Sequence, residues 1–554
     1  MAIQTRREAQ GRITDLWNRP IERAHGLSLR ILEWFNQERW ANLITIVAVV
    51  LANLVLLSFM LQGLDNRAIA FTILLPLTLL AIIIPEMSIV TLIVVGSGLF
   101  VNTFYFVVPG AGTGQRTILL GFLGIVVARA LYEVLRTSAS ERPRLWTPLT
   151  IAIVLYWIYH IFHVAYIFLY SYNVPPPQSE EAALGSYRPG VLRYFDGYIV
   201  WIGILPLMIL LRDWARARRV LIALGAIMAI SAGAIVWEYF APMPMFFKMI
   251  FQLRAAGETA EGYRVRDPSG LYFSIAGFFA TLYLLGYLRG SLKNTLALAY
   301  IAATTFAILI TKNRILWGGI LTVLPLALLW KPPQILLRQA WLFGIAALIG
   351  GAALLHPPIF SVAERITRET VERWSRNYAY GGDPRLDPSY QTRVRERELW
   401  EYHYARMPLS QKLLGAGLEA EYGNYIPLAT TERFKGERFN RIYVNKTHIH
   451  FAWLGRLLRV GWIGTALVAL VVIIFFLRAA FIFLKYPNPL LRAIVVGLVG
   501  ATVGVLFYDA LHELFHRFEA IPVVLMWAFM ELIPHWHRTG QLSDDSATPT
   551  TSLV

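Results

Sequence analysis

Apolar runs of roughly 18–25 residues recur along almost the whole of this 554-residue chain. About 20 residues at 1.5 Å each cross a hydrocarbon core of ~30 Å, so runs of this length read as transmembrane helices. Only 16% of the residues are charged and the mean hydropathy is +0.51, whereas a soluble domain carries about 25% charge. The expected fold class is an all-α polytopic membrane protein.

Fourteen spans are read at roughly 41–62, 68–84, 87–108, 117–135, 147–170, 195–211, 220–240, 270–288, 295–311, 314–330, 339–356, 450–477, 492–510 and 519–534. The chain then divides into a basic segment 1–40, transmembrane helices 1–11 over 41–356, an extracytoplasmic loop 357–449, transmembrane helices 12–14 over 450–534, and a tail 535–554. In the first segment, Leu27, Ile31, Trp34 and Phe35 oppose arginines such as Arg23, Arg30 and Arg39. That pattern suits an amphipathic helix on the cytoplasmic membrane face. About 40 polar and basic residues before the first apolar run argue against a cleavable signal peptide.

Alternate connections are rich in Lys and Arg, as cytoplasmic loops are. They hold Arg136, Arg142 and Arg144; Arg212, Arg216, Arg218 and Arg219; Arg289 and Lys293; Lys331 and Arg338; and Arg478, Lys485 and Arg492. The opposite connections include the acidic, proline-rich 175–181. Both termini are therefore expected in the cytoplasm. In this setting the net charge of +16 points to anionic lipid rather than nucleic acid. Cysteine is absent, which excludes disulfides and thiolate metal sites.

Four segments fall on the outer face: 241–269, with an interfacial helix expected over PMPMFFKMIFQLR; the tight turn 311–314; the loop 357–449; and 508–519. The long loop holds 12 Arg and 3 Lys against 12 acidic residues. That bias matters because a guanidinium grips phosphate through a planar fork. Arg314 interrupts nearly continuous membrane sequence, where an ionisable group is a functional candidate. Arg264 and Arg266 precede Pro268-Ser269-Gly270 on the same face. Two histidines, His448 and His450, begin the last long apolar helix. A run of 28 residues from 450 reaches roughly 42 Å, beyond the ~30 Å core, so the histidine end must project at the outer interface.

Four motifs resemble those of the O-antigen ligase and O-antigen polymerase superfamily of bacterial envelope glycosyltransferases. His450, Trp453 and Leu454 stand ahead of Gly461-x-x-Gly464, eleven residues after the histidine; His448 does not fit that spacing. Asn313-Arg314 stands where the family has a Ser-Arg turn. Arg264 and Arg266 precede Pro268-Ser269. Arg393, Arg397 and Trp400 precede Gly415-Ala416-Gly417. The resemblance covers about residues 260–535. It departs at Phe451, where the family has Asn, and in the loop's Arg-to-Trp spacing. It implies a metal-independent, inverting glycosyltransferase of the bacterial inner (cytoplasmic) membrane, without cofactor. The donor would be a glycan on undecaprenyl pyrophosphate and the acceptor a sugar hydroxyl on a glycan or lipid-linked glycan, in polysaccharide or lipopolysaccharide synthesis. His450 would be the base, with Arg264, Arg266, Arg314, Arg393 and Arg397 on the phosphates and His448 beside it.

Other patterns compete. His512-Glu513-Leu514-Phe515-His516 is a literal H-E-x-x-H, the signature of a zinc protease. Its third ligand would have to come from Glu519, Glu531, His535 or His537, and the topology puts the last three toward the other face. Gly110–Gly114 lacks the lysine of a phosphate loop. A lipid or polysaccharide flippase would suit the number of spans, but the sequence shows no pair of broken helices in two repeated halves.

Overall fold

A computed structural model of the chain describes residues 84–96, 114–138, 141–169, 201–241, 254–259, 262–266, 271–310, 314–329, 331–357, 407–417, 422–427, 441–446, 452–512 and 521–542, together with single positions of the loop between 360 and 405. The basic segment 1–40, the spans 41–62 and 68–84 up to residue 83, the loop 175–181, the expected interfacial helix 242–253, the glycines 110–113 and Glu513–Glu519 lie outside the described residues.

Each of the other twelve spans contains a described helix. In chain order they are α1 (Pro85–Gly96), α2 (Gly114–Arg136), α3 (Pro148–Leu169), α4 (Ile204–Leu210), α5 (Trp214–Phe240), α6 (Leu271–Leu284), α7 (Ser291–Ile310), α8 (Arg314–Leu329) and α9 (Pro333–Leu354), then, after the short loop helix α10 (Leu409–Leu414), α11 (Ala452–Lys485), α12 (Pro489–His512) and α13 (Ile521–Arg538). Six of them are long and apolar enough to cross a membrane by length and composition: α3, α5, α7, α9, α11 and α12. Two antiparallel hairpins add to the helices, β1 (Arg254–Thr259) with β2 (Gly262–Arg266) and β3 (Tyr422–Pro427) with β4 (Arg441–Lys446).

Several helices begin before their apolar runs do. Asp213 caps α5 by accepting from the Ala215 amide at 3.0 Å, and Asn488 accepts from Leu490 at 2.9 Å ahead of α12. Pro148, Pro333 and Pro489 open their helices, where a fixed φ and a missing N–H carry no penalty.

Small residues let the bundle close. A Cβ on Gly497 of α12 would lie 2.5 Å from the Ala276 carbonyl of α6, and one on Gly500 would run into the Phe279 ring. Gly319 of α8 packs against Gly504. Close backbone approach of this kind drives helix association where hydrophobicity alone cannot.

The basic connections share one end of the bundle and finish its helices. Arg142 donates to the Val134 carbonyl at 2.6 Å, Arg216 to Leu210 at 2.9 Å, Lys331 to Leu282 at 3.1 Å, Arg338 to Leu288 at 2.6 Å and Arg492 to Phe483 at 3.0 Å. These acceptors are carbonyls at or just past C-terminal helix ends, which have no helical partner and carry the negative end of the dipole. Cross-links tie the ends together: Arg212 to Glu133, Trp536 to the Leu211 carbonyl, and Tyr486 against His537. At the opposite end Tyr239, Phe240 and Phe306 form an aromatic cluster, and Arg365 of the long loop donates to the Tyr239 hydroxyl at 3.3 Å.

Between these ends Arg478 of α11 grips Glu531 of α13 through two bonds of 3.1 and 2.9 Å, and the glutamate side chain is fully buried. Removing one partner leaves a buried charge uncompensated, a loss of about 3–5 kcal/mol. Glu531→Ala is expected to lower the thermal unfolding temperature in detergent. The double variant Arg478→Met with Glu531→Ala should recover much of that loss.

Candidate active site

The site is built around a break in α11. Gly461 has φ 65° and ψ −170°, a left-handed conformation inside an otherwise regular helix, and glycine is the residue that adopts it without a Cβ penalty. Residues 462–485 alone run roughly 36 Å, enough to cross the hydrocarbon core. The turns 452–460 are thereby set apart from the membrane-length part of the helix.

A second glycine motif docks onto the break. Gly415 ends α10 with φ +88°, and a Cβ there would overlap the Arg459 carbonyl. A Cβ on Gly461 would overlap the Leu413 carbonyl and sit 2.5 Å from the Gly415 nitrogen. Two amides then bridge the segments, Ala416 donating to Leu458 at 2.7 Å and Gly417 to Arg459 at 3.0 Å. Carbonyls of the turn before a kink are open to such outside donors. The Tyr159 hydroxyl of α3 lies 3.0 Å from the Leu414 carbonyl and 2.7 Å from the Val460 carbonyl. Gly464 leaves room for its ring: a Cβ there would be 2.8 Å from Tyr159 Cε1.

Aromatic packing seals this clasp from the side. Met407, Ala416, Leu454 and Leu458 are buried together, with Trp400 and Tyr404 against them. Trp400 stacks on Tyr404 at 4.5 Å and tilts toward Trp453 at 6.4 Å. Trp462 Nε1 donates to the Tyr404 hydroxyl at 2.6 Å. Trp400 thus points at α11. Arg397, one turn earlier, is exposed and pairs with Glu401 at 2.8 Å, an i,i+4 surface pair worth only about 0.3–0.5 kcal/mol.

His448 and His450 fall between Lys446, the end of β4, and Ala452, the start of α11; they and Arg393 lie outside the described residues. Arg264 and Arg266 occupy alternate positions of β2, in register with Gly257 and Arg254. The segment that carries them is thus one strand of a hairpin. Arg314 is the first residue of α8, and Trp317, one turn on, donates to the Ile308 carbonyl of α7 at 3.0 Å. Chain connectivity puts the hairpin, the start of α8 and the clasp at the same end of the bundle.

Four buried polar residues near the clasp escaped the sequence reading. His160 and His163 of α3 are buried with ring centroids 6.3 Å apart, and His163 stacks on Tyr159 at 5.5 Å. Arg456 and Arg459, in the turns before Gly461, are 8% and 5% exposed. Each pair sits at i,i+3 in an apolar run, which is the signal that could have found them.

The zinc reading loses three of its four possible third ligands. Trp527 bonds Thr502 at 3.0 Å across the antiparallel pair α12 and α13. From that level His512 runs roughly 15 Å one way and Glu531 roughly 6 Å the other, while His537 rests on Tyr486 at the basic end.

No known protein-family model matches the chain, and no curated protein matches it either.

The clasp generates its own test. Gly461→Ala adds a Cβ both to a left-handed position and to the space held by the Leu413 carbonyl, so a cost of about 2 kcal/mol or more is expected. Limited proteolysis should cut the 409–417 segment faster in that variant, while Gly225→Ala, in open space on α5, should behave as wild type.

Proposed function

We propose that this chain is a membrane glycosyltransferase of the O-antigen ligase and polymerase kind, crossing the bacterial inner membrane fourteen times with both termini in the cytoplasm. The observation that carries the reading is the clasp. The two glycine motifs on which the resemblance rests, Gly415-Ala416-Gly417 and Gly461-x-x-Gly464, pack against each other at the head of the helix that His450 precedes. Motifs that had matched by chance would have no reason to meet. The arginines in β2 and at the start of α8 belong to the same end of the bundle.

The donor is a glycan on undecaprenyl pyrophosphate and the acceptor a sugar hydroxyl at the outer face. His450 takes the hydroxyl proton as the acceptor oxygen bonds to the anomeric carbon, and the bond from that carbon to the pyrophosphate oxygen breaks. The electron pair leaves with undecaprenyl pyrophosphate, and one displacement inverts the anomeric centre. An imidazole is suited to this proton transfer near neutral pH. Charge gathers on the pyrophosphate as the bond breaks, and fixed guanidinium groups stabilise it there. Arg264, Arg266 and Arg314 serve that purpose. The Arg397–Glu401 pair leaves Arg397 the weakest of the described arginines for it.

In a strain lacking the gene, reintroduced wild-type protein should restore the envelope glycan profile, and His450→Ala should restore none of it while reaching the membrane in equal amount. A general base contributes about 10²–10⁴-fold, so wild-type transfer by His450→Ala would sink the assignment. Arg314→Lys keeps the charge but not the fork, and its activity should fall at least tenfold (about 1.4 kcal/mol). The deletion strain separates the two acceptor classes: single repeat units on the carrier mean a polymerase, and long polymer left there means a ligase.

A further inference from the structure

We infer that Tyr159 is the positioning residue that holds the loop clasp onto α11 and so fixes the head of the helix that His450 precedes. The inference rests on the proposed function for what is positioned, and on geometry for how. Tyr159 stands on α3, a span of the bundle proper. Its hydroxyl reaches the carbonyl of Leu414, the residue before Gly415, and the carbonyl of Val460, the residue before Gly461. One proton is therefore shared across the clasp, at the very residues where loop and helix touch. The second glycine of the pair has no room for a side chain, since a Cβ on Gly464 would press both on the Val460 side chain at 2.6 Å and on the Tyr159 ring at 2.8 Å. His163, one turn along α3, stacks on the ring in near-parallel fashion, with an interplanar angle of 13°, and limits its rotation. The arrangement joins three distant segments: a fixed span, the outer loop and the turns ahead of the kink.

The Tyr159 hydroxyl is spent on the Leu414 and Val460 carbonyls, so its loss should misplace the base rather than remove it. The test compares wild type, Tyr159→Phe, Gly464→Ala and the double variant as full-length protein in detergent. Membranes of the deletion strain supply lipid-linked donor and acceptor. A small misplacement costs rate steeply, so Tyr159→Phe should lose about tenfold or more in kcat, with KM for the donor within about threefold of wild type. Hydrogen exchange should speed up in peptides covering 409–417 and 452–460 and stay unchanged in α12 and α13. Gly464→Ala should show the same pattern, and the double variant should add little to either single one, because both act on one contact. A Tyr159→Phe protein with wild-type kcat overturns the inference, as does one whose loss lies in KM alone. If wild-type protein transfers no glycan, the proposed function fails on its own account. The exchange arm then decides the structural claim, and unchanged protection over 409–417 overturns it.

Discussion

Gly415 and Gly461 touch backbone to backbone, and their end of the bundle is arranged around that contact. It exists because both residues adopt positive φ and because neither brings a Cβ into the gap. Once they meet, the break in α11 acquires its partners: amides of Ala416 and Gly417 for the carbonyls of Leu458 and Arg459, and the aromatic set of Trp400, Tyr404 and Trp453 beside them. At the kink the Leu458 and Arg459 carbonyls find donors in a segment more than forty residues earlier in the chain, the Val460 carbonyl finds one on another helix through Tyr159, and the Gly461 carbonyl accepts from Thr465 one turn on. A kink of this kind is held largely by tertiary contacts.

At the other end the organising chemistry is simpler. The arginines and lysines of alternate connections carry two kinds of information at once. As charges they are the pattern expected of loops that stay on the cytoplasmic side. As donors they close the carbonyls that the helices leave open, as Arg142, Arg216, Arg338 and Arg492 do. This double use is why the alternation was legible without a structure. The same residues would be needed for helix ending even if no membrane potential or lipid charge acted on them. The apolar runs were legible for an equally direct reason, since twelve of the fourteen contain a described helix and a run of that length has no other way to satisfy its backbone.

The candidate site was legible only in its parts. Gly415-Ala416-Gly417 and Gly461-x-x-Gly464 could each be read as a motif, but nothing in their spacing says that one fits into the other; that is a three-dimensional fact about two backbones. The hairpin at 254–266 was hidden because GYRVR has charge at alternate positions and little apolar content, so its period of two reads as loop charge. His160 and His163 were hidden for the opposite reason. Their neighbours Tyr156, Tyr159 and Tyr166 make the whole stretch look like an aromatic apolar span, and hydropathy averages over the imidazoles that α3 buries. Trp400 was read in one motif with Arg393 and Arg397, yet its ring packs on α11 while Arg397 turns to solvent.

On the proposed function, the break accounts for how so long a helix as α11 can serve an interfacial reaction. An unbroken helix from 452 to 485 would measure roughly 51 Å, and its head would stand free in water, far from any lipid-anchored pyrophosphate. Breaking it at Gly461 leaves 462–485 to cross the membrane and lets 452–460 take its direction from the loop. On the proposed function this is the useful outcome. The donor's phosphates lie at the level where lipid ends, and the acceptor comes from the aqueous side. A base that must meet both belongs at the head of a segment whose direction is set by protein contacts instead of by the bilayer normal. On the same reading the long loop, through Leu414, Gly415 and Ala416, supplies half of the joint on which the proposed catalytic geometry depends.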